Sequence, residues 1–196
     1  MAGTFTLSEK MLNEVKQKHG DQAEARLVAW QNLIQENGHL SAAEKLKKVN
    51  DFFNQVRFIS DAVHWQQSDY WATPIEFLAT NGGDCEDFSI AKYFTLKALG
   101  IEEEKLNLTY VKALSLNQAH MVVTYFEHPG SIPLVLDNLV PQVLSAEKRK
   151  DLLPIYSFNG TGIWLAKARG RREKIGSCKN LQHWNKVLRK MSIAMN

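Results

Sequence analysis

The run from Asn81 to Gly100, Asn-Gly-Gly-Asp-Cys-Glu-Asp-Phe-Ser-Ile-Ala-Lys-Tyr-Phe-Thr-Leu-Lys-Ala-Leu-Gly, constrains this chain most. It opens on a turn signal, Asn81-Gly82-Gly83. Phe88, Ala91, Phe94, Thr95, Ala98 and Leu99 then recur at helical spacing, and Gly100 stops the run. Cys85 therefore stands in the first turn of a buried helix. Unpaired N–H groups there carry partial positive charge and favour a thiolate, the nucleophilic form of cysteine. Free cysteine is also a common small buried apolar residue. Position alone leaves both readings open.

With 196 residues, 44% hydrophobic and 23% charged, the chain suits one globular domain with a proper core. No apolar run is long enough to span a membrane. A net charge of +3 does not demand a nucleic-acid partner. Two cysteines, Cys85 and Cys178, are too few for a disulfide framework or a four-thiolate zinc site, though they suffice for one bridge. Met1-Ala-Gly-Thr4 lacks the basic and apolar regions of a signal peptide, so the expectation is a mature domain.

In chain order, residues 7–19 read as a helix capped by Ser8 and stopped by Gly20. Asp21 can cap a second helix that carries Leu27, Val28, Trp30, Leu33 and Ile34 and ends at Gly38. Ser41 and Glu44 have capping-box spacing and open a third, with Leu46, Val49, Phe52, Phe53 and Val56 on one face. Residues 1–56 thus form a helical subdomain, and 57–196 the remaining core. Residues 57–72 show no period, only an aromatic patch around His64-Trp65 and Tyr70-Trp71. Thr73-Pro74-Ile75-Glu76 starts a short helix. After Gly100 the period becomes two: Leu106–Val111, Ala119–Phe126 and Ile132–Asp137 read as strands, and Pro133 makes the last an edge strand or one irregular at its start. Ser145–Leu152 reads as a short helix. Pro154–Phe158 and Gly162–Lys167 are further strands, and Ser177–Met191 is a closing helix. Helices followed by an antiparallel meander indicate an α+β fold.

His120 falls at the start of the second strand and Asp137 at the end of the third, where adjacent antiparallel strands can bring them together. With Cys85 they offer a nucleophile, a base for its proton and a carboxylate to orient the base. Each alone is also an ordinary structural residue. Asp84, Glu86 and Asp87 flank the cysteine, and three carboxylates oppose thiolate formation. A hard dication such as Ca²⁺ would remove that penalty. First-turn acids also simply complement the helix dipole, so capping stands beside metal binding.

These blocks carry a resemblance. Tyr70-Trp-Ala-Thr-Pro-Ile-Glu-Phe-Leu78, Gly82-Gly-Asp-Cys-Glu-Asp-Phe88, Ala91-Lys-Tyr-Phe94, His120-Met121 and Leu136-Asp-Asn138 resemble the bacterial transglutaminase-like cysteine proteases of the LapG type, over roughly residues 50–170. The resemblance implies a papain- or transglutaminase-like fold, N-terminal helices and a nucleophile helix packed on an antiparallel sheet. It implies catalysis by Cys85, His120 and Asp137, and Ca²⁺ dependence through Asp84, Glu86 and Asp87. It further implies a periplasmic endopeptidase that cuts a large surface adhesin near its N-terminus at a di-alanine site. Release of the adhesin disperses biofilm, and a membrane receptor for cyclic di-GMP sequesters the protease through its periplasmic domain.

Two other classes compete: a transglutaminase or amidase acting on Gln side chains, and a silent peptide-binding module. Trp71 reads as a packed core aromatic before an oxyanion donor, and Cys178 as incidental. His19, His39, His128 and His183 show no partner pattern, and His64 stays open. Between Lys167 and Lys190 stand nine Lys/Arg and one acid, Glu173, a solvated face or a dock for an acidic partner.

Overall fold

Local signals set the helical half. The structure, a computed structural model, describes residues 5–166 and 172–194. The Ser8 side chain accepts the Met11 N–H and caps α1 (Glu9–His19), and Gly20, at φ 86°, ends it. Gly20 is also the N-cap of α2 (Asp21–Asn37), so Asp21 is the first helical residue rather than the cap. Its carboxylate still complements the dipole. Ser41 and Glu44 form the expected capping box of α3 (Ala42–Phe53). Leu27, Trp30 and Ile34 of α2 and Leu46, Val49 and Phe53 of α3 are buried, while Val28, Leu33 and Phe52 are only partly so.

The stretch without periodicity holds β1 (Arg57–Phe58) and α4 (Asp61–His64). A second capping box, Thr73 with Glu76, opens α5 (Pro74–Thr80). Asn81, at φ 52°, turns the chain out of α5. Gly82 and Gly83 are not a free turn: they form β2 (Gly82–Gly83), which pairs in parallel with β1. Glycine is required there. A Cβ on Gly83 would meet the Phe77 ring and the Asp87 Cβ, each at 2.8 Å. The chain then enters α6 (Cys85–Ala98), the helix expected from its apolar period.

The second half is one antiparallel sheet. Its strands are β3 (Leu106–Ala113), β4 (Gln118–Tyr125), β5 (Leu134–Leu136), β6 (Leu144–Ser145), β7 (Leu152–Asn159), β8 (Gly162–Ala166) and β9 (Arg172–Gly176), in spatial order β6-β5-β4-β3-β7-β8-β9. The fold is therefore α+β, as the change of period indicates. Three expectations need correction. β5 is not an edge strand, because β6 pairs outside it; Pro133 instead makes the segment irregular at its start, and the strand begins only at Leu134. Ser145–Leu152 is a single 3-10 turn, Ala146–Lys148, between two strands. The basic stretch contains β9, and the closing helix α7 (Gln182–Ala194) begins only after a 3-10 turn at Cys178–Asn180. Met1–Thr4 and residues 167–171 of the basic stretch lie outside the described residues. Pro154 is tolerated inside β7 because β8 pairs only from Tyr156 onward, and the register against β3 shifts beside it.

One hydrophobic cluster runs from Leu7 to Met191. It joins the N-terminal helices, α6, the inner face of β3 and β4, and Trp184 of α7. α6 lies at its centre: Ile90, Ala91, Tyr93, Thr95 and Leu96 are fully buried.

Candidate active site

The site begins at the N-terminus of α6. Asp84 is the N-cap and Cys85 the first helical residue, half-buried. The Cys85 thiol donates to Glu86 Oε2 at 2.9 Å. Burial, then Glu86 and Asp84, push the thiol up, against a hydrogen bond from the Met121 main chain. Met121 follows His120 in β4, and the Ser89 hydroxyl donates to the Met121 carbonyl at 3.0 Å. These two bonds seat the helix start against the strand that carries the histidine.

His120 is buried, and its Nε2 lies 2.7 Å from Asp137 Oδ1. Asp137 directly follows β5, which pairs with β4. Its other oxygen accepts from Arg149 Nη2 at 2.6 Å, and the Leu139 N–H donates to Oδ1 at 3.1 Å. Burial alone would raise this carboxyl. Bonds from His120, Leu139 and Arg149 outweigh it and hold the group at about 2. The pair expected from strand adjacency is thus in contact, and Cys85 is packed against the same strand.

The acids divide into two groups. Ligand atoms of Asp84, Cys85 and Glu86 lie within 4.8 Å of one another, and so do those of Asp61, Asp84 and Asp87. Asp87 is buried; its Oδ1 accepts the Ala72 N–H at 2.7 Å and its Oδ2 the Asp84 N–H at 3.3 Å. Burial first, then neighbouring carboxylates, raise Asp61 to about 6, Asp84 to about 7 and Asp87 well above its ordinary value. Asp61 Oδ1 and Asp84 Oδ1 are buried without a hydrogen-bond partner among the described residues. Crowded carboxylates with orphaned oxygens fit a hard, oxygen-seeking dication. Asp84 and Asp87 fall in this group as expected. Glu86 belongs to the other group, with Asp84 and the Cys85 thiol, and Asp61 joins without having been foreseen. Asp61 lies in the stretch without periodicity, where only spatial proximity marks it.

Sequence reasoning also missed Arg149 and Lys92. Arg149 is buried and bridges Asp137 to Asp151. It lies in the segment that reads as a short helix, Ser145–Leu152, where nothing marks it as paired. Trp71 is a packed aromatic: it stacks on Phe158 at 5.9 Å, and its indole N–H is spent on Asp69 at 2.9 Å. His183 does have partners, the Trp71 ring at 5.6 Å and Asp69 at 3.7 Å. His64 lies 2.8 Å from the Thr80 hydroxyl and edge-on to Trp65 at 4.6 Å. Cys178 is free, buried and directed at the Gly160 carbonyl.

The model of the family described as bacterial transglutaminase-like cysteine proteinase BTLCP matches residues 16–165. No curated protein matches the chain significantly. Two solved structures of LapG from Legionella pneumophila, one of them EGTA-treated, are 41% identical to it, with a TM-score of 0.82 over 96% of this chain. They are covered to 100% and 99% of their own length. A calcium-bound LapG structure is 40% identical, with a TM-score of 0.80, over 94% of this chain and 99% of its own. A cysteine at the start of a buried helix, a bonded His and Asp pair on the strands beside it, and a family match over three quarters of the sequence agree: this chain belongs to the bacterial transglutaminase-like cysteine proteinases.

Proposed function

We propose that the chain is a calcium-dependent periplasmic cysteine endopeptidase. Its substrate is the N-terminal region of a large surface adhesin, cut at a di-alanine site. A membrane receptor for cyclic di-GMP restrains it by sequestration through a periplasmic domain. The observation that carries this reading is the 2.7 Å His120–Asp137 bond on strands against which the Cys85 helix start is seated.

Cys85 passes its proton to His120 Nδ1 and attacks the scissile carbonyl carbon. Asp137 accepts the Nε2–H and fixes the ring's tautomer and orientation. The Cys85 backbone N–H, an orphan donor of the first helical turn, meets the developing oxyanion. The imidazolium then protonates the leaving amine. His120 next takes a proton from water, whose oxygen attacks the thioester, and Cys85 leaves as a thiolate. Asp84, Asp87 and Asp61 would hold calcium, with Glu86 at the neighbouring position. When bound there, calcium supplies the positive charge that offsets the carboxylates around the sulfur.

The test incubates the chain with a di-alanine peptide and, separately, with a Gln peptide plus an amine donor. Mass spectrometry should find hydrolysis between the alanines, dependent on calcium and absent in Cys85→Ala. Amine incorporation without peptide cleavage would mark a transglutaminase instead. Inhibition by the receptor's periplasmic domain should weaken as substrate rises; inhibition indifferent to substrate would argue against a receptor that covers the cleft.

A further inference from the structure

Behind Asp137 lies a buried polar assembly that the reaction above does not use. Lys92, two turns along α6 from Cys85, is 1% exposed. Its ammonium donates to Asn50 Oδ1 at 2.8 Å and to Asn54 Oδ1 at 2.7 Å. Asn50 belongs to α3 and Asn54 is its C-cap. The Asn54 amide nitrogen in turn donates to the Asp137 carbonyl at 2.9 Å, and that of Asn50 to the Pro141 carbonyl at 2.7 Å. The loop that leaves β5 is therefore tied at two main-chain oxygens, one of them on Asp137 itself.

The polarity of this assembly is set by its donors and acceptors. An ammonium only donates, so both amides must present oxygen to it and nitrogen to the loop. The carbonyls of Asp137 and Pro141 favour the same orientation, and without the ammonium each amide oxygen loses the donor that holds it. Burying an ammonium is costly, and among the described residues no carboxylate touches this one. Asp137 is the one charged group that acts on it appreciably, and burial lowers it to about 7. A residue with so unfavourable an environment is poorly explained as a stabiliser of the core.

We infer that Lys92 is a positioning residue: through Asn54 and Asn50 it fixes the main chain at Asp137, and so the carboxylate that orients His120. It links the helix that carries the nucleophile to the loop that carries the acid. Arg149 and Leu139 hold the side-chain end of Asp137, and the Lys92 assembly holds the main-chain end. The inference rests on Cys85, His120 and Asp137 being the reacting unit.

Two substitutions in the full chain, with calcium present, test it. Lys92→Met keeps the length and removes the donor. Asn54→Asp keeps an acceptor for Lys92 but deletes the donor to Asp137, without changing shape. Each should leave a cooperative thermal transition and lower kcat about 10- to 100-fold, the scale of a misplaced catalytic group, with KM nearly unchanged. The independent readout is the ¹⁵N spectrum of His120, assigned by its loss in His120→Gln. The wild-type ring should be held as the Nε2–H tautomer, and both variants should show mixed tautomers. A folded Asn54→Asp with wild-type kcat and an unchanged tautomer overturns the inference, as does a fall in kcat with the tautomer intact. Should Lys92→Met fail to fold, Asn54→Asp decides. Failure of the underlying reading looks different: Cys85→Ala would then retain cleavage.

Discussion

The chemistry of single side chains is set here by what each is pressed against. Cys85 meets carboxylates, and Asp137 meets donors. Cys85→Ala should abolish turnover with the fold intact, and His120→Ala should cost nearly as much, because members of such a unit are not additive. Asp137→Asn should cost less than either; steady-state kinetics on one peptide ranks the three. Asp137 also carries a stability signature. Its folded value, about 2, lies below its ordinary 3.8, so its contribution is complete above about pH 4 and is lost as pH falls toward 2. That gap corresponds to roughly 2 kcal/mol. Urea midpoints of wild type and Asp137→Asn should therefore differ at pH 6 and converge only as pH falls to about 2. A constant difference would place the stabilising effect of Asp137 outside its ionisation. The His120–Asp137 contact was legible in the sequence, because the two residues stand at the ends of segments that read as adjacent antiparallel strands. Asp61, Lys92 and Arg149 were not. Their telling partners are remote in sequence, Asp84 for Asp61, Asn50 and Asn54 for Lys92 and Asp137 for Arg149, and nothing in local spacing marks a buried Lys or Arg as paired.

Short elements decide where the acids stand. β2 pairs with β1 through only two residues, Arg57 with Gly82 and Phe58 with Gly83, yet it delivers Asp84 to the α6 terminus beside Asp61 of α4. Gly83 lets this happen, because its backbone runs against Phe77 and Asp87. Gly83→Ala should displace both and cost about 1–3 kcal/mol of stability, as overpacking does. It should also weaken calcium binding, which titration calorimetry reads directly. Asp61→Asn and Asp84→Asn should weaken calcium binding while Glu86→Gln, on the thiol side, weakens it less. Equal affinities in all three variants would mean that the acids only cap the helix. The sequence shows why such elements are hard to foresee. α1, α2, α3, α5 and α6 announce themselves by caps and apolar period. A two-residue parallel bridge has no period at all, and β9 lies in a charged stretch that is solvent-exposed from Glu173 to Ser177, so no buried face marks it. Ser145–Leu152 offered a plausible helix start, but its chain is claimed by β6 and β7 on either side.

At the scale of the whole molecule, the N-terminal helices and the sheet are not separate bodies of packing. Trp30 of α2 donates its indole N–H to Thr95 of α6 at 2.7 Å, and Phe53 of α3 stacks near Phe77 of α5 at 6.2 Å. Arg26 of α2 donates to the Leu78 carbonyl at 2.6 Å and the Ala79 carbonyl at 2.9 Å. From the other end, Lys190 of α7 bonds Glu76 at 2.8 Å and the Tyr70 hydroxyl at 2.7 Å, while Trp184 fills the space beside Tyr93 and Phe158. Both ends of the chain thus close over α6, the element that presents the nucleophile. A division at residue 56 would sever the Asn50 and Asn54 links, the Trp30–Thr95 hydrogen bond and the Phe53–Phe77 stack. Folding should therefore be a single cooperative transition. Probes placed in the N-terminal helices and in the sheet should report the same urea midpoint, and Trp184→Ala, a large deletion in a fully buried position, should shift both together by about 3–5 kcal/mol. Two separated transitions, with the helices of residues 1–56 melting first while β3 and β4 stay protected from hydrogen exchange, would instead establish them as an independent subdomain. In that case the site should lose activity at the first transition, because the main chain at Asp137 is held from α3.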